Sequence, residues 1–221
     1  MTDAGPLPVE LARASVFLDF DGTISVADTG VHLLERLVGD AWHGLEALYQ
    51  SGEIGSRECV VRQWGLLPTF DEEVLRAVAA EIPLDAHVEG LVTGLLAAGA
   101  EVTIVSDGFG FPATALGAVV GVPVMTATVD WGTGALSFPF ADLSCPCARC
   151  GTCKQRPLRA AAARGRTTIF VGDGTSDQKA AVLADVLFAK DALARWCAAG
   201  ALAHHPFASL GDVAAALGLV A

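Results

Sequence analysis

The sequence predicts an α/β fold, a doubly wound parallel sheet with a helical cap inserted after the first strand. Two observations lead to this prediction. Short apolar runs alternate with helical patterns from about residue 88 onward, and the first apolar run is followed by a long stretch of helical spacing. With 221 residues, 52% of them hydrophobic, the chain can bury the core of one large domain with a smaller insert.

The first strand is predicted over residues 15–20, a short β-branched, apolar run that ends in acids and glycine. From residue 29 to about residue 80, apolar residues recur at helical spacing, with Gly and Pro between the segments. This stretch is therefore predicted to be helical without a strand. The change of pattern places the cap at residues 26–88 and the core at residues 1–25 and 89–221.

Beyond the insert, strands and helices are predicted to alternate. The predicted helices cover residues 88–98, 111–119, 157–164, 176–184, 192–199 and 210–217, and the strands cover residues 101–106, 122–128, 168–172 and 186–188. A β-hairpin is predicted near residues 131–138, and His204 and His205 lie in a predicted loop before Pro206. In such a fold, ligands bind beyond the carboxyl ends of the parallel strands.

The charge balance narrows the class of partner. The chain carries 14 basic and 25 acidic side chains, a net charge of −11, and no basic stripe, so a nucleic-acid partner is not expected. Its apolar stretches are too short to cross a membrane, and its first residues lack the pattern of an export signal. We therefore expect a cytoplasmic protein, monomeric or homodimeric. A phosphate site in this negative field needs its own positive charge.

Two acids follow the first strand. The alternation of an extended segment puts the carboxyls of Asp19 and Asp21 on one side of the chain. Hydrolysis of a phosphate monoester needs a nucleophile and a proton donor for the departing oxygen, and two acids so spaced can divide those tasks. The alternative interpretation is an ordinary Asp-Gly turn after a strand.

Four more polar residues follow at later strand ends or before a helix. Ser106 closes the second core strand, and its hydroxyl can donate to a phosphoryl oxygen or cap the next helix. Lys154 precedes a predicted helix and can supply the positive charge. Asp173 suits a direct ligand to Mg²⁺, which prefers carboxylate oxygens, whereas Asp177 suits a ligand through water or a helix-terminal acid.

The order of these motifs, an acid pair, Ser, Lys and a second acid pair, resembles the four signature motifs of the haloacid dehalogenase phosphatases. The resemblance covers most of the chain, because the helical stretch after Thr23 matches the position of that superfamily's cap. It implies a Rossmann-like core and a Mg²⁺-dependent phosphatase that forms an aspartyl-phosphate on Asp19, with Asp21 as acid and base. The residues that the resemblance assigns to Mg²⁺ are Asp19, the Asp21 carbonyl, Asp173 and Asp177, and those it assigns to the phosphoryl oxygens are Ser106 and Lys154.

Within the superfamily, three segments and two cap residues resemble the methionine-salvage phosphatases. The segments are residues 65–68, 150–154 and 187–191, and the cap residues are Glu58 and Arg62. This resemblance implies a small phosphorylated metabolite, 2-hydroxy-3-keto-5-methylthiopentenyl-1-phosphate, as the substrate. It also makes Glu58 and Arg62 candidate substrate contacts, with an exposed ion pair as the alternative.

Two departures keep other functions open. Asp107 stands where the pattern has Gly next to the Ser, and Gly174 is more like the Gly of phosphoserine phosphatases. Phosphoserine and phosphoethanolamine are therefore alternative substrates. Outside this class, a phospho-accepting signalling domain or a catalytically silent binding protein also combines acids, Ser and Lys at a sheet edge. The insert after the first strand argues against the signalling domain.

Four cysteines lie just before the lysine: Cys145, Cys147, Cys150 and Cys153. In a cytosolic protein this close spacing predicts a Zn²⁺ site or structural cysteines that are reduced or partly oxidised. An iron–sulfur cluster is a third alternative.

Overall fold

The computed structural model describes residues 5–145 and 148–219. The strands are β1 (Ala14–Asp19), β2 (Glu101–Val105), β3 (Val124–Met125), β4 (Thr128–Asp130), β5 (Ala135–Ser137), β6 (Thr167–Gly172), β7 (Val186–Ala189) and β8 (His205–Pro206). The helices are α1 (Thr29–Leu37), α2 (His43–Gln50), α3 (Ser56–Trp64), α4 (Glu72–Ala79), α5 (Val88–Ala97), α6 (Phe111–Val120), α7 (Gln155–Ala163), α8 (Gln178–Ala181), α9 (Asp191–Ala199) and α10 (Leu210–Ala216). No helix among the described residues is long and apolar enough to span a membrane.

A parallel sheet of six strands, in the order β3-β2-β1-β6-β7-β8, confirms the predicted fold class. Its central strand β1 is buried along its whole length. Because side chains alternate along a strand, Val16 and Leu18 pack with α5 and α10 on one face, whereas Phe17 packs with α7 and α9 on the other. Burial on both faces explains why β1 is a continuous apolar run.

Two predictions at the sheet edges were wrong. Residues 122–128 were expected as one strand, but the ladder contains only Val124–Met125, and the chain enters the hairpin strand β4 at Thr128. β-Branched residues occur on both sides of the break between β3 and β4, so strand propensity does not show where the ladder ends. His205–Pro206 was expected as loop but pairs with β7 as β8. A two-residue strand that contains proline has no periodic pattern, and proline fits only at such an edge.

The cap consists of α1–α4 and a 3₁₀ helix at Gly39–Trp42, as the helical spacing predicted. The chain leaves and re-enters the core side by side, because Ser25 and Leu84 form an antiparallel bridge. Beside this bridge the Val26 amide donates to the Pro83 carbonyl at 3.0 Å. The two linkers thus form one short neck. The bounds 26–88 stay a prediction for the cap.

An aromatic cluster joins the cap to the hairpin β4–β5. Trp64, at the end of α3, is 4% exposed, and its Nε1 donates to the Gly134 carbonyl in the hairpin at 2.8 Å. Its ring stacks on Phe70 at 5.4 Å and meets the edge of Phe109 at 5.1 Å. Apolar burial and a satisfied indole N–H therefore hold the cap against the core on this side.

We expect Trp64→Ala to lower the free energy of unfolding by about 3–5 kcal/mol, since it removes a large buried ring and leaves a cavity. Urea unfolding would measure this change. The matched control is Trp196→Ala, because the Trp196 side chain is 36% exposed on α9, and its expected cost is about 1 kcal/mol or less. Equal losses in the two variants would show that the Trp64 cluster does not anchor the cap.

Candidate active site

Three adjacent strands end at the same place in the sheet. Asp19 is the last residue of β1, Ser106 directly follows β2, and Asp173 directly follows β6. Strand β1 lies between β2 and β6, so the strand order reverses here, and crevices for ligands form at such points. The structure thus brings these three predicted residues to one edge.

Lys154 lies buried at the floor of this edge. It is the N-cap residue of α7 and is 4% exposed. Its Nζ donates to Asp19 Oδ1 at 2.6 Å, to Asp177 Oδ1 at 2.7 Å and to Ser176 Oγ at 3.0 Å. Burial alone would lower the pKa of Lys154, but the charges of Asp177 and Asp19 outweigh it and raise the pKa above its usual value. The ammonium therefore stays charged and uses all three of its donors.

The carboxylates around Lys154 carry more negative charge than one ammonium neutralises. Oxygens of Asp19, Asp173 and Asp177 lie within 4.8 Å of one another. Burial, followed by the charge of Asp177, raises the pKa of Asp19 well above its usual value and that of Asp173 to about 6. A divalent cation would relieve this repulsion, and carboxylate oxygens are the ligands Mg²⁺ prefers. The donor set of the cluster therefore fits such an ion.

Asp177 differs from the other two acids because both its oxygens are engaged by the protein. Oδ1 accepts from Lys154, and Oδ2 accepts from the amides of Asp173 and Gly174, both at 3.1 Å. It is completely buried. Asp177 is thus placed to orient Lys154 and the β6 loop, and Asp19 and Asp173 are better placed to touch an ion.

The Asp-Gly-Thr sequence after β1 has a local structural reason. Gly22 has φ +77°, and a side chain there would collide with the carboxylate of Asp173. The next residue, Thr23, donates its hydroxyl to Asp173 Oδ1 at 2.8 Å. The loop after β1 therefore approaches and orients an acid of the neighbouring strand, a role for Thr23 that the sequence reasoning missed.

Asp21 is fixed from the cap. Its Oδ1 accepts from the backbone amide of Thr29 at 3.0 Å and from the Thr29 hydroxyl at 2.6 Å, and its Oδ2 accepts from Ser106 Oγ at 3.3 Å. Thr29 begins α1, where Asp28 is the N-cap residue. The sequence reasoning missed Thr29, and the sole local signal was the helix start after Asp28.

A cavity of about 290 Å³ lies between this edge and the cap. Asp19, Asp21, Lys154 and Asp173 line its floor. Polar and acidic side chains of α2 and α3 line the cap side, among them Glu46, Tyr49, Gln50, Ser56 and Gln63. Cap and core thus enclose the space above Asp19.

The structure does not bring Glu58 and Arg62 to this cavity. They form an exposed ion pair at 3.3 Å, with side chains 56% and 46% exposed. Helix α3 turns Cys59 and Gln63 toward the cavity, and the helical period therefore turns positions 58 and 62 to solvent. The prediction that this pair contacts the substrate is therefore replaced by its alternative, an ion pair on the surface.

The cysteine prediction gains no support from the described residues. Cys145 and Cys153 are buried and Cys150 is half-buried. Within residues 5–145 and 148–219, the one group of three or more side chains suited to a metal is Asp19, Asp173 and Asp177, not the cysteines. Cys147 lies outside the described residues.

The doubly wound sheet carries a carboxylate, a buried lysine and a cluster of acids at its carboxyl edge, an arrangement that suits a hydrolase. Residues 16–181 match the model of the haloacid dehalogenase-like hydrolases, and the chain belongs to that family.

Relatives and solved structures agree with this assignment. A protein of Exiguobacterium sp. named 2-hydroxy-3-keto-5-methylthiopentenyl-1-phosphate phosphatase is 29% identical over 206 residues, which cover 90% of this chain and 95% of the relative. A substrate-bound phosphoserine phosphatase shares the fold with a TM-score of 0.64 at 16% identity, over 83% of this chain and 89% of its own. The phosphoserine phosphatase of T. onnurineus also shares the fold, with a TM-score of 0.69 at 17% identity, over 98% of this chain and 100% of its own.

We expect Lys154→Met to lower the free energy of unfolding by about 3–5 kcal/mol, since it leaves Asp19 and Asp177 buried without their partner. Urea unfolding at neutral pH with a chelator present would measure the loss. Lys190→Met is the matched control, because Lys190 is half-buried over the Phe207 ring at 5.3 Å, and its expected cost is about 1 kcal/mol or less. A Lys154 variant as stable as the control would contradict this account of the buried ammonium.

Proposed function

We propose that this chain is a Mg²⁺-dependent phosphatase that hydrolyses a small phosphate monoester through a phosphorylated Asp19. One observation carries the proposal: Asp19 lines the cavity between the sheet edge and the cap while its Oδ1 is held by a buried, charged Lys154. A carboxylate so fixed can attack without reorganising, which is how an active site lowers the barrier. The names of the relatives support the same reaction class.

In this proposal the reaction has two displacements at phosphorus. The Asp19 carboxylate attacks, the bond from phosphorus to the ester oxygen breaks, and Asp21 gives its proton to that oxygen. Water then attacks the phosphorus of the aspartyl-phosphate and loses a proton to Asp21, which releases phosphate and restores the Asp19 carboxylate. The amide and the hydroxyl of Thr29 hold Asp21 in place for both transfers.

The ion and the phosphoryl group would share the floor of the cavity. Asp19, Asp173 and the backbone carbonyl of Asp21 would hold Mg²⁺, with Asp177 behind them. A bound Mg²⁺ would offset the charge that develops on the phosphoryl oxygens. The charge of Lys154 would attract the same oxygens, the Ser106 hydroxyl would turn from Asp21 to donate to them, and the cap would exclude bulk water.

The charges on the cavity wall favour a leaving group that is not anionic. Among the described residues that line the cavity, Lys154 is the single basic one, and it lies on the floor. Glu46 and Asp107 add negative charge on the walls. A carboxylate on the substrate would be repelled there, whereas a neutral or cationic group would not.

Apart from its phosphate, 2-hydroxy-3-keto-5-methylthiopentenyl-1-phosphate is uncharged and fits this requirement, and it is our first candidate substrate, in agreement with the names of the relatives. A phosphorylated amine such as phosphoethanolamine is the second candidate, because its ammonium would meet the acids Glu46 and Asp107. Phosphoserine carries a carboxylate that has no basic partner among the described cavity residues, and is disfavoured.

We expect Asp19→Asn to lower Mg²⁺-dependent phosphate release by roughly 10⁴-fold or more, since removal of a nucleophile has effects of this size in other hydrolases. Initial rates with p-nitrophenyl phosphate would measure it. The control is Asp142→Asn, on a loop where Asp142 accepts from Ser144 alone among the side chains of the described residues. Full activity in Asp19→Asn would contradict the role of Asp19 as the nucleophile. An inactive parent would contradict the phosphatase assignment.

A matched set of small esters tests the charge requirement. Phosphoethanolamine, ethylene glycol monophosphate and phosphoglycolate differ mainly in the end group, which is cationic, neutral or anionic. We expect kcat/KM for phosphoglycolate to be at least about tenfold below that of the other two, an effect of one unfavourable charge contact. Glu46→Gln removes one negative charge from the wall and should therefore reduce the difference in kcat/KM between phosphoglycolate and the other two esters. A phosphoglycolate rate equal to the others would contradict the assignment of substrate charge.

A further inference from the structure

Asp107 joins three segments that are distant in the sequence. Its Oδ2 accepts a short hydrogen bond from the Ser56 hydroxyl, at the first residue of cap helix α3. Its Oδ1 accepts from the backbone amide of Thr152 at 2.7 Å, and the Gly151 amide also donates to this carboxylate. Burial raises the pKa of Asp107, and the bond from Ser56 opposes this. Three donors thus converge on one carboxylate.

A second set of contacts joins the same two segments of chain. The Arg149 guanidinium donates to the carbonyls of Gly52 at 2.9 Å and Glu53 at 2.6 Å, in the loop that leads into α3. The Arg57 amide donates back to the Arg149 carbonyl at 3.1 Å. A side chain at Gly55 would collide with Arg149. Residues 52–57 of the cap therefore lie directly against residues 148–152 of the core.

The segments that Asp107 joins each lead to the floor of the cavity. Asp107 directly follows Ser106, which contacts Asp21. Thr152 lies two residues before Lys154, which contacts Asp19. A carboxylate that holds Ser56 therefore connects the position of the cap to the two groups proposed to bind the phosphoryl oxygens.

We propose that Asp107 is a positioning residue that fastens the cap to the segment that carries Lys154. Its kinetic consequences rest on the proposed phosphatase function. The bond to Ser56 holds the cap side of the cavity in place, so its loss should weaken substrate binding. The bonds to Thr152 and Gly151 hold the approach to Lys154, so their loss should slow the chemical step as well.

Two variants separate these effects. Ser56→Ala removes the cap bond alone, and we expect KM for p-nitrophenyl phosphate to rise about tenfold with kcat within about twofold of the parent, since hydrogen bonds to a charged group have effects of this size. Asp107→Asn removes the negative charge and one of the two acceptor oxygens, which weakens the bonds from Ser56, Thr152 and Gly151 together, and we expect it to raise KM and to lower kcat about tenfold. Because Ser56 acts through Asp107, the double variant should equal Asp107→Asn.

The matched control is Ser51→Ala, because the Ser51 hydroxyl donates within the cap, to the Leu48 carbonyl at 3.0 Å and to Glu53 Oε1 at 3.1 Å, and we expect it to leave KM and kcat unchanged. The proposal is overturned if Ser56→Ala behaves as Ser51→Ala does, or if the double variant multiplies the two single losses. It is also overturned if both variants lose activity only in step with a lower melting temperature, at unchanged KM.

Hydrogen exchange makes the test independent of turnover. If the parent hydrolyses no phosphate monoester, the proposed function fails. Hydrogen exchange then still tests whether Asp107 acts as a tether between the cap and the core. Faster exchange at residues 52–57 and 148–153 in both Ser56→Ala and Asp107→Asn would support the tether, since these segments contact each other in the parent. Exchange in both variants equal to that of the parent would overturn it.

Discussion

The buried contact of the Lys154 ammonium with Asp19 and Asp177 is the interaction on which the rest of the site depends. A buried ammonium without partners costs several kcal/mol, and so does a buried carboxylate, so each group needs the others in place. Asp19 ends β1, Asp177 lies in the turn after the neighbouring strand β6, and the lysine precedes α7. The register of the sheet, in which Leu18 pairs with Val171, brings the ends of these two strands together, and the turn after β6 then places Asp177 beside Lys154.

The cap completes a site that the sheet edge only begins. Thr29, from the first cap helix, holds Asp21, and Gln50, from the second, accepts from Thr175 at 3.4 Å in the loop after β6. The contacts that hold the cap over the cavity therefore include the one that places Asp21. A closed, dry cavity strengthens the electrostatic interactions within it, so a cap that positions Asp21 would also raise the effect of every charge on the floor.

The sequence predicts the parts of the molecule that are local. Strand β1 and the helical cap follow from hydrophobic period, and Asp19 and Asp173 meet because acids at the ends of adjacent parallel strands share an edge. The features that the sequence could not predict depend on contacts between residues far apart in the chain. The bond from Ser56 to Asp107 spans 51 positions. The outward turn of Arg62 is set by the packing of α3, and the Glu58–Arg62 spacing fits either face of a helix.

The central claim is that Asp19 becomes phosphorylated, and the most direct measurement is to trap that state. The protein would be mixed with substrate and Mg²⁺, quenched in acid within one turnover, digested, and its peptides analysed by mass spectrometry. The account predicts a phosphoryl group on the peptide that contains Asp19, absent from Asp19→Asn. Phosphate release at the parent's rate with no such adduct, or an adduct on another residue, would contradict it.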